Sequence, residues 1–183
     1  MSVDKITEPA FMHALLELTE EQDFRQITVS MLTRKVGMHR QSFYYHFQDK
    51  YELLAYTYQQ ISFHFLDGDQ VTIANWPVQV EKMLDSINKH QQFYLNTAAS
   101  DQNTLLLTFS HVVKARLTDM LREIDPEQRL SVYDRTFYAE FFGYGCGGVL
   151  VDWIVGGFAT PPQEIAAKLS RLVTDIKHYS PYL

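Results

Sequence analysis

The chain has 183 residues with a formal net charge of −6, long enough to bury a core without disulfides or metals as one domain or two small ones. Hydrophobic residues at 46% and charged residues at 21% exclude a wholly disordered chain. The single cysteine, Cys146, excludes an intramolecular disulfide framework and a multi-cysteine zinc site.

From the N-terminus, Met1 to Ile6 carries an acid, Asp4, and no apolar signal segment, which with the lone thiol predicts a cytoplasmic protein. A first helix is predicted from about Lys5 to Glu21, with Phe11, Ala14, Leu15 and Leu18 at the i, i+3, i+4, i+7 spacing of an apolar stripe. Thr28 is placed to cap a short helix carrying Met31, Leu32 and Val36 inward, and Gly37 to stop it. A second short helix follows from Arg40 to Phe47. Phe43 and Phe47 share its inner face, while Arg40, Gln41, Tyr44 and Tyr45 take the remaining one. Asp49 and Glu52 form a capping pattern for a longer helix that ends near Leu66. The run Asp67-Gly68-Asp69 is a linker between a first domain, residues 1–66, and a second, residues 67–183.

Beyond the linker the periodicity predicts about five more helices: Val78 to Asn96, Leu105 to His111, Val112 to Ile124, Leu130 to Val155 and Pro162 to His178, with Pro126 marking a turn. Phe141 to Thr160 is apolar enough to raise the question of a membrane span, but Asp152 near its middle argues against one. No segment alternates with period two. The expected fold is all-α, about nine helices in total, with no membrane association.

Charge is distributed unevenly. Between Arg34 and Lys50 four bases stand against one acid, Asp49, in a chain that is acidic as a whole. Two short helices joined by a glycine-containing turn, the second polar and basic on its outer face, form a helix-turn-helix, and its second helix has the dimensions of the DNA major groove.

The string from Phe24 through Ile27-Thr28, Gly37, Phe43-Tyr44-Tyr45-His46-Phe47 and Lys50 to Leu53-Leu54 resembles the N-terminal domain of the tetracycline-repressor (TetR/AcrR) family over about residues 5 to 65. The sequence departs from the family pattern at Met31-Leu32-Thr33 and at Ser42. The resemblance implies that Thr28 caps a helix and touches a phosphate, and that Arg40 and Gln41 face base edges. It further implies that His39 and Ser42 reach bases or phosphates, that Tyr44 and Tyr45 press on the backbone with His46 supporting them, and that Lys50 holds a phosphate at a helix N-terminus.

In that family the C-terminal helices bind an effector and form a homodimer. Six of eight glycines lie between Gly143 and Gly157, and glycine inside a helix signals close approach of a neighbour. The expected dimer interface is Phe141, Gly143, Gly147, Val151, Ile154, Ile165, Leu169, Leu172 and Ile176. An effector pocket is expected around Tyr94, Phe109, Tyr138 and Trp153. The run Phe141 to Gly157, followed by Pro161 to Leu169, resembles regulators related to the dihydroxyacetone-kinase operon activator, which implies that a partner protein could take the place of a small molecule.

The expected function is a homodimeric, sequence-specific DNA-binding transcriptional regulator on a two-fold-symmetric double-stranded operator, its activity modulated by an effector of unknown identity. By family default it is a repressor. The alternatives are an activator controlled by a partner protein, or an interaction module that keeps the helix-turn-helix as scaffold. No Gly-x-Ser-x-Gly, phosphate loop or His-Glu-x-x-His occurs, so no enzyme activity, cofactor or metal is expected.

Overall fold

The computed structural model describes residues 4–68, 70–125, 127 and 129–179 and, among these, contains nine α-helices and no strand. They are α1 (Asp4–Glu21), α2 (Val29–Val36), α3 (Arg40–His46), α4 (Lys50–Ile61), α5 (Trp76–Lys89), α6 (Gln91–Ser100), α7 (Gln102–Ile124), α8 (Val132–Val155) and α9 (Pro162–Tyr179). Two 3-10 turns, Phe24–Gln26 and Phe63–Phe65, join α1 to α2 and follow α4.

The first four helices form where their local chemistry predicts. The Thr28 hydroxyl accepts the Met31 N–H at 3.3 Å and opens α2. Gly37 closes it in the left-handed conformation at φ 73°, open to glycine without a Cβ penalty. Asp49 opens α4 by accepting the Tyr51 and Glu52 amides at 2.8 and 2.9 Å. The Glu52 carboxylate reaches back to the Gln48 N–H, one residue earlier than a capping box requires. At the centre of this group the ring of Phe11 meets Phe43 at 5.2 Å and Phe47 at 6.3 Å, both edge-on. All three rings are buried, so α1 and α3 are locked by aromatic packing.

Three boundaries differ from the sequence expectation. α4 ends at Ile61, because Ser62 turns inward and its hydroxyl bonds to Ser86 at 3.2 Å. Phe63 and Leu66 then insert into the core, which runs without a break from the first helices into the rest of the chain. The helix expected from Val78 to Asn96 is two helices, broken at His90. Its ring Nδ1 lies 2.8 Å from the Ser86 carbonyl, the acceptor its own amide would use in a continuous helix, and that amide bonds to Ile87 instead. Conversely α7 is one helix where two were expected. Thr108 and Thr118 bond back to carbonyls four residues earlier without interrupting it, and no glycine or proline intervenes. The expected turn at Pro126 lies outside the described residues.

α7 and α8 run against each other along most of their length, and α9 lies on α5. The return from α8 to α9 is pinned by Trp153, whose Nε1 donates to the Thr160 carbonyl at 2.8 Å and whose ring meets Phe158 at 4.8 Å. Among the described residues no helix is long and apolar enough to cross a membrane.

Candidate nucleic-acid interface

Burial of Phe43 and Phe47 fixes which face of α3 turns out. That face carries Arg40, Gln41, Tyr44 and Tyr45, all exposed, flanked by exposed His39 and half-buried Ser42. Tyr45 is 77% exposed and Tyr44 49%, which core tyrosines are not. The Arg40 guanidinium donates to the Tyr44 hydroxyl at 3.0 Å and lies 5.7 Å from its ring centre, so the two side chains stand together as one projecting unit. Thr28, exposed at the start of α2, belongs to the same end of the molecule. His46 is different. Its side chain is buried and its Nδ1 lies 3.3 Å from Glu8 Oε1, tying α3 to α1.

The local excess of bases is smaller in space than in sequence. Lys35 is paired with Glu17 at 2.8 Å. The Glu17 hydrogen bond holds its ammonium above the usual lysine value, and Glu17 is lowered in return. Lys50 departs furthest from expectation. Its Nζ donates to the carbonyls of Phe24, Arg25 and Ile27 at 2.8, 3.1 and 3.0 Å and lies 4.5 Å from the Phe24 ring centre. An ammonium has three protons, and here three carbonyls take them. Lys50 is therefore corrected from a phosphate ligand to a latch between α4 and the turn before α2. Burial draws its pKa below the ordinary lysine value. Within the stretch Arg34 and Arg40 keep guanidinium groups outside ion pairs with carboxylates, among the described residues.

The second half of the chain rearranges the expected sites. A Cβ on Gly143 would lie 2.9 Å from the Ser110 carbonyl oxygen. One on Gly147 would lie 2.6 Å from Ser110 Oγ and 2.7 Å from Leu106 Cδ1. These glycines bring α8 against α7 inside the protomer, so the close approach assigned to a second copy is used internally. Val151 and Ile154 are buried in the same core, and Ile165 and Leu169 are buried on the face of α9 that meets α5. All six are buried within the protomer. Of the expected interface, Phe141 at 64% and Leu172 at 43% remain exposed, and the Ile176 side chain lies outside the described residues.

The expected effector residues do not share one wall either. Tyr94 stacks on Tyr58 at 5.2 Å, Phe109 meets Phe63 at a tilt at 5.1 Å and Trp153 meets Phe158 edge-on, with Tyr94, Phe109 and Trp153 all buried, while Tyr138 is partly exposed beside Phe137. These are core contacts. Burial also pushes the Cys146 thiol up to about 11.

Two features go beyond the site residues expected from sequence, which include only Phe141 of the first. One is the outer face of α8, where Tyr133, Phe137, Phe141 and Tyr144 are exposed at spacings of four, four and three residues. Gly145 and Gly148 on this helix have nothing within 4 Å of a built Cβ. The spacing was visible, but the glycine signal drew attention to the opposite face. The other is Asn96, for which no local pattern gives a signal.

A model of the bacterial regulatory proteins of the tetR family matches residues 11–57, and one described as a transcriptional regulator C-terminal region matches residues 74–175. Among curated proteins the chain is 27% identical over 178 residues to the uncharacterized HTH-type transcriptional regulator YxbF of Bacillus subtilis (strain 168), covering 94% of this chain and 46% of that protein. It is 28% identical over 98 residues to the HTH-type dhaKLM operon transcriptional activator DhaS of Lactococcus lactis subsp. lactis (strain IL1403), covering 54% and 52%. The chain thus spans about half the length of the curated relatives it matches. Among solved structures it resembles the dihydroxyacetone kinase operon activator DhaS, at a TM-score of 0.67 and 20% identity over 93% of this chain and 95% of that one. It also resembles the repressor AlkX of Dietzia sp. strain DQ12-45-1b, at 0.56 and 16% over 96% of each chain. At these identities the structures establish the shared fold.

Proposed function

This chain belongs to the tetR family of bacterial regulatory proteins, and we propose that it is a sequence-specific DNA-binding transcriptional regulator, acting as a homodimer on a two-fold-symmetric operator and controlled through its C-terminal domain. The observation that carries this reading is the outer face of α3, where Arg40, Gln41, Tyr44 and Tyr45 project together above a buried aromatic anchor. Arg40 suits guanine O6 and N7, and Gln41 suits adenine N6 and N7. Thr28, His39, Ser42, Tyr44 and Tyr45 supply hydroxyl and imidazole groups to the backbone and groove edges. The two family matches part between residues 57 and 74, which supports a division into a reading domain, 1–66, and a regulatory domain, 67–183.

The dimer is proposed through the outer face of α8. Its exposed aromatics and bare glycines make an apolar strip that a second copy covers by two-fold symmetry.

Selection of binding sites from random duplex DNA tests the reading. A two-fold-symmetric consensus is expected. With Arg40 on a base edge, Arg34 is the cation of this stretch left for a phosphate, so one such contact per protomer gives a dimer a salt slope of about −2. Recovery of no consensus favours the scaffold alternative and overturns this one.

By family default the regulator is a repressor. A second reading, an activator controlled by a partner protein, is favoured by the core packing of Tyr94, Phe109 and Trp153 and by the relative named as an operon activator. A transcription assay on the selected operator, with and without the protein, separates the two signs.

A further inference from the structure

We infer that Asn96, on α6 of the second domain, is a positioning residue for DNA reading: it clamps the 3-10 turn between α1 and α2 and so sets the attitude of the recognition helix α3, an inference that rests on the DNA-binding reading above. A helix C-terminus leaves carbonyls without partners. At the end of α1 the Asn96 amide nitrogen donates to the carbonyls of Thr19 and Gln22 at 2.7 and 2.9 Å. Its oxygen accepts the Phe24 N–H at 2.9 Å. Both protons and the oxygen of one side chain are thus used on one corner of the head. One helical turn on, Ser100 Oγ lies 3.1 Å from Asp23 Oδ1, the carboxylate that also holds Arg25. The Arg25 guanidinium keeps Asp23 charged, well below the usual carboxylate range.

The opposite flank of the same turn is held by Lys50 of α4. The Phe24 residue is therefore gripped through its N–H by α6 and through its carbonyl by α4, with its ring buried beneath. Beside the clamp α6 and the end of α1 part to leave an open cleft of about 470 Å³, bordered by Glu20, Gln22, Gln92 and Leu95. At this corner Asn96 and Ser100 join the two halves by directional bonds. From the turn the chain passes directly to Thr28 and into α2, and α2 and α3 pack on each other. A displacement of the turn is carried to α3.

The test uses the full chain and a duplex selected from random DNA, at a temperature well below melting and over a range of salt. Asn96→Ala is expected to weaken binding ~5–30-fold, the equivalent of one or two ordinary hydrogen bonds. The slope of log affinity against log salt stays unchanged, because no phosphate contact is lost. Asn96→Asp keeps the acceptor for Phe24 but sets a carboxylate against two carbonyls, and is expected to bind more weakly still. Lys50→Ala also keeps the parental slope, and the double variant Asn96→Ala, Lys50→Ala loses less than the product of the single losses, since both hold one turn. Gln92→Ala, on the cleft but outside the clamp, binds as the parent.

An Asn96→Ala variant that melts lower yet binds with parental affinity is merely structural, and overturns the inference. If Asn96→Ala does not fold, Ser100→Ala replaces it, and parental affinity there is equally fatal. A salt slope reduced by about one in Lys50→Ala returns that lysine to a phosphate and breaks the two-sided grip. A parent chain that selects no duplex overturns the DNA reading itself, and this inference with it. A parent that selects one while its variants match it overturns this inference alone.

Discussion

α3 and α8 both present a row of exposed aromatic side chains, and the two rows differ in what accompanies the rings. On α3, Tyr44 and Tyr45 end in hydroxyls and stand beside Arg40 and Gln41. On α8, Phe137 and Phe141 lie 6.4 Å apart with near-parallel rings and stand beside Glu140, Tyr144 and the open Gly145. A ring with a polar tip and a cation next to it can exchange water for phosphates and base edges. The phenylalanine pair at the centre of the α8 row, between Tyr133 and Tyr144 and beside an open glycine, gains most from another apolar surface. Both rows are exposed; under the proposed reading the polar atoms decide which kind of partner each one fits.

The largest effect is expected where that distinction is inverted on α8. Phe137→Glu with Phe141→Glu places two carboxylates in the strip. If a second copy covers it, each substitution costs about 2 kcal/mol or more of association, and together they raise the dimer Kd by about 1000-fold. Sedimentation should show a folded monomer, since both side chains already face solvent. A dimer that survives both changes would move the interface elsewhere.

On α3 the corresponding change is Arg40→Ala. Loss of ~1–3 kcal/mol and a relaxed preference at one base pair of each half-site are expected. A uniform loss across sequences would instead make Arg40 a backbone contact. Its Tyr44 neighbour gives an internal check. Tyr44→Phe removes the hydroxyl that holds the guanidinium, and is expected to weaken the same base preference by less than Arg40→Ala does. Binding to the selected duplex and to singly substituted versions of it measures both.

The head was largely legible in the sequence because its signals are local. Thr28, Gly37 and Asp49 act on backbone groups within four residues, and Phe43 and Phe47 define a face by spacing. Lys50 and Asn96 act across 23 to 77 residues, and no window of sequence contains their partners. The break at His90 was also hidden, since a ring that competes for one carbonyl leaves no pattern of its own. The glycines of α8 were legible as a demand for close approach, but not as to whose helix approaches. Gly143 and Gly147 answer to Ser110 and Leu106 of the same chain. Gly145 and Gly148 stand free on the described chain, and the sequence treats all four alike.

Alanine substitutions at those glycines sharpen the same contrast and end on the smallest effect, at Gly148. At Gly143 the new methyl would meet the Ser110 carbonyl oxygen at 2.9 Å, a backbone atom that moves only if α7 and α8 separate. Overpacking of this kind costs ~1–3 kcal/mol, or a fall in Tm of ~2–12 °C for a chain of this size. At Gly147 the obstacles at 2.6 and 2.7 Å are the ends of Ser110 and Leu106 side chains, which can rotate, so a smaller loss than at Gly143 is expected. At Gly148 nothing lies within 4 Å, and the gain from replacing a mid-helix glycine is ~0.5–1 kcal/mol. Measured in the Phe137→Glu, Phe141→Glu background, where assembly no longer contributes, Gly148→Ala should raise Tm slightly. In the parent background the same methyl enters the strip between copies, so the gain should shrink or reverse. Equal gains in both backgrounds would mean that Gly148 lies outside the dimer contact, and would restrict that contact to the aromatic half of α8.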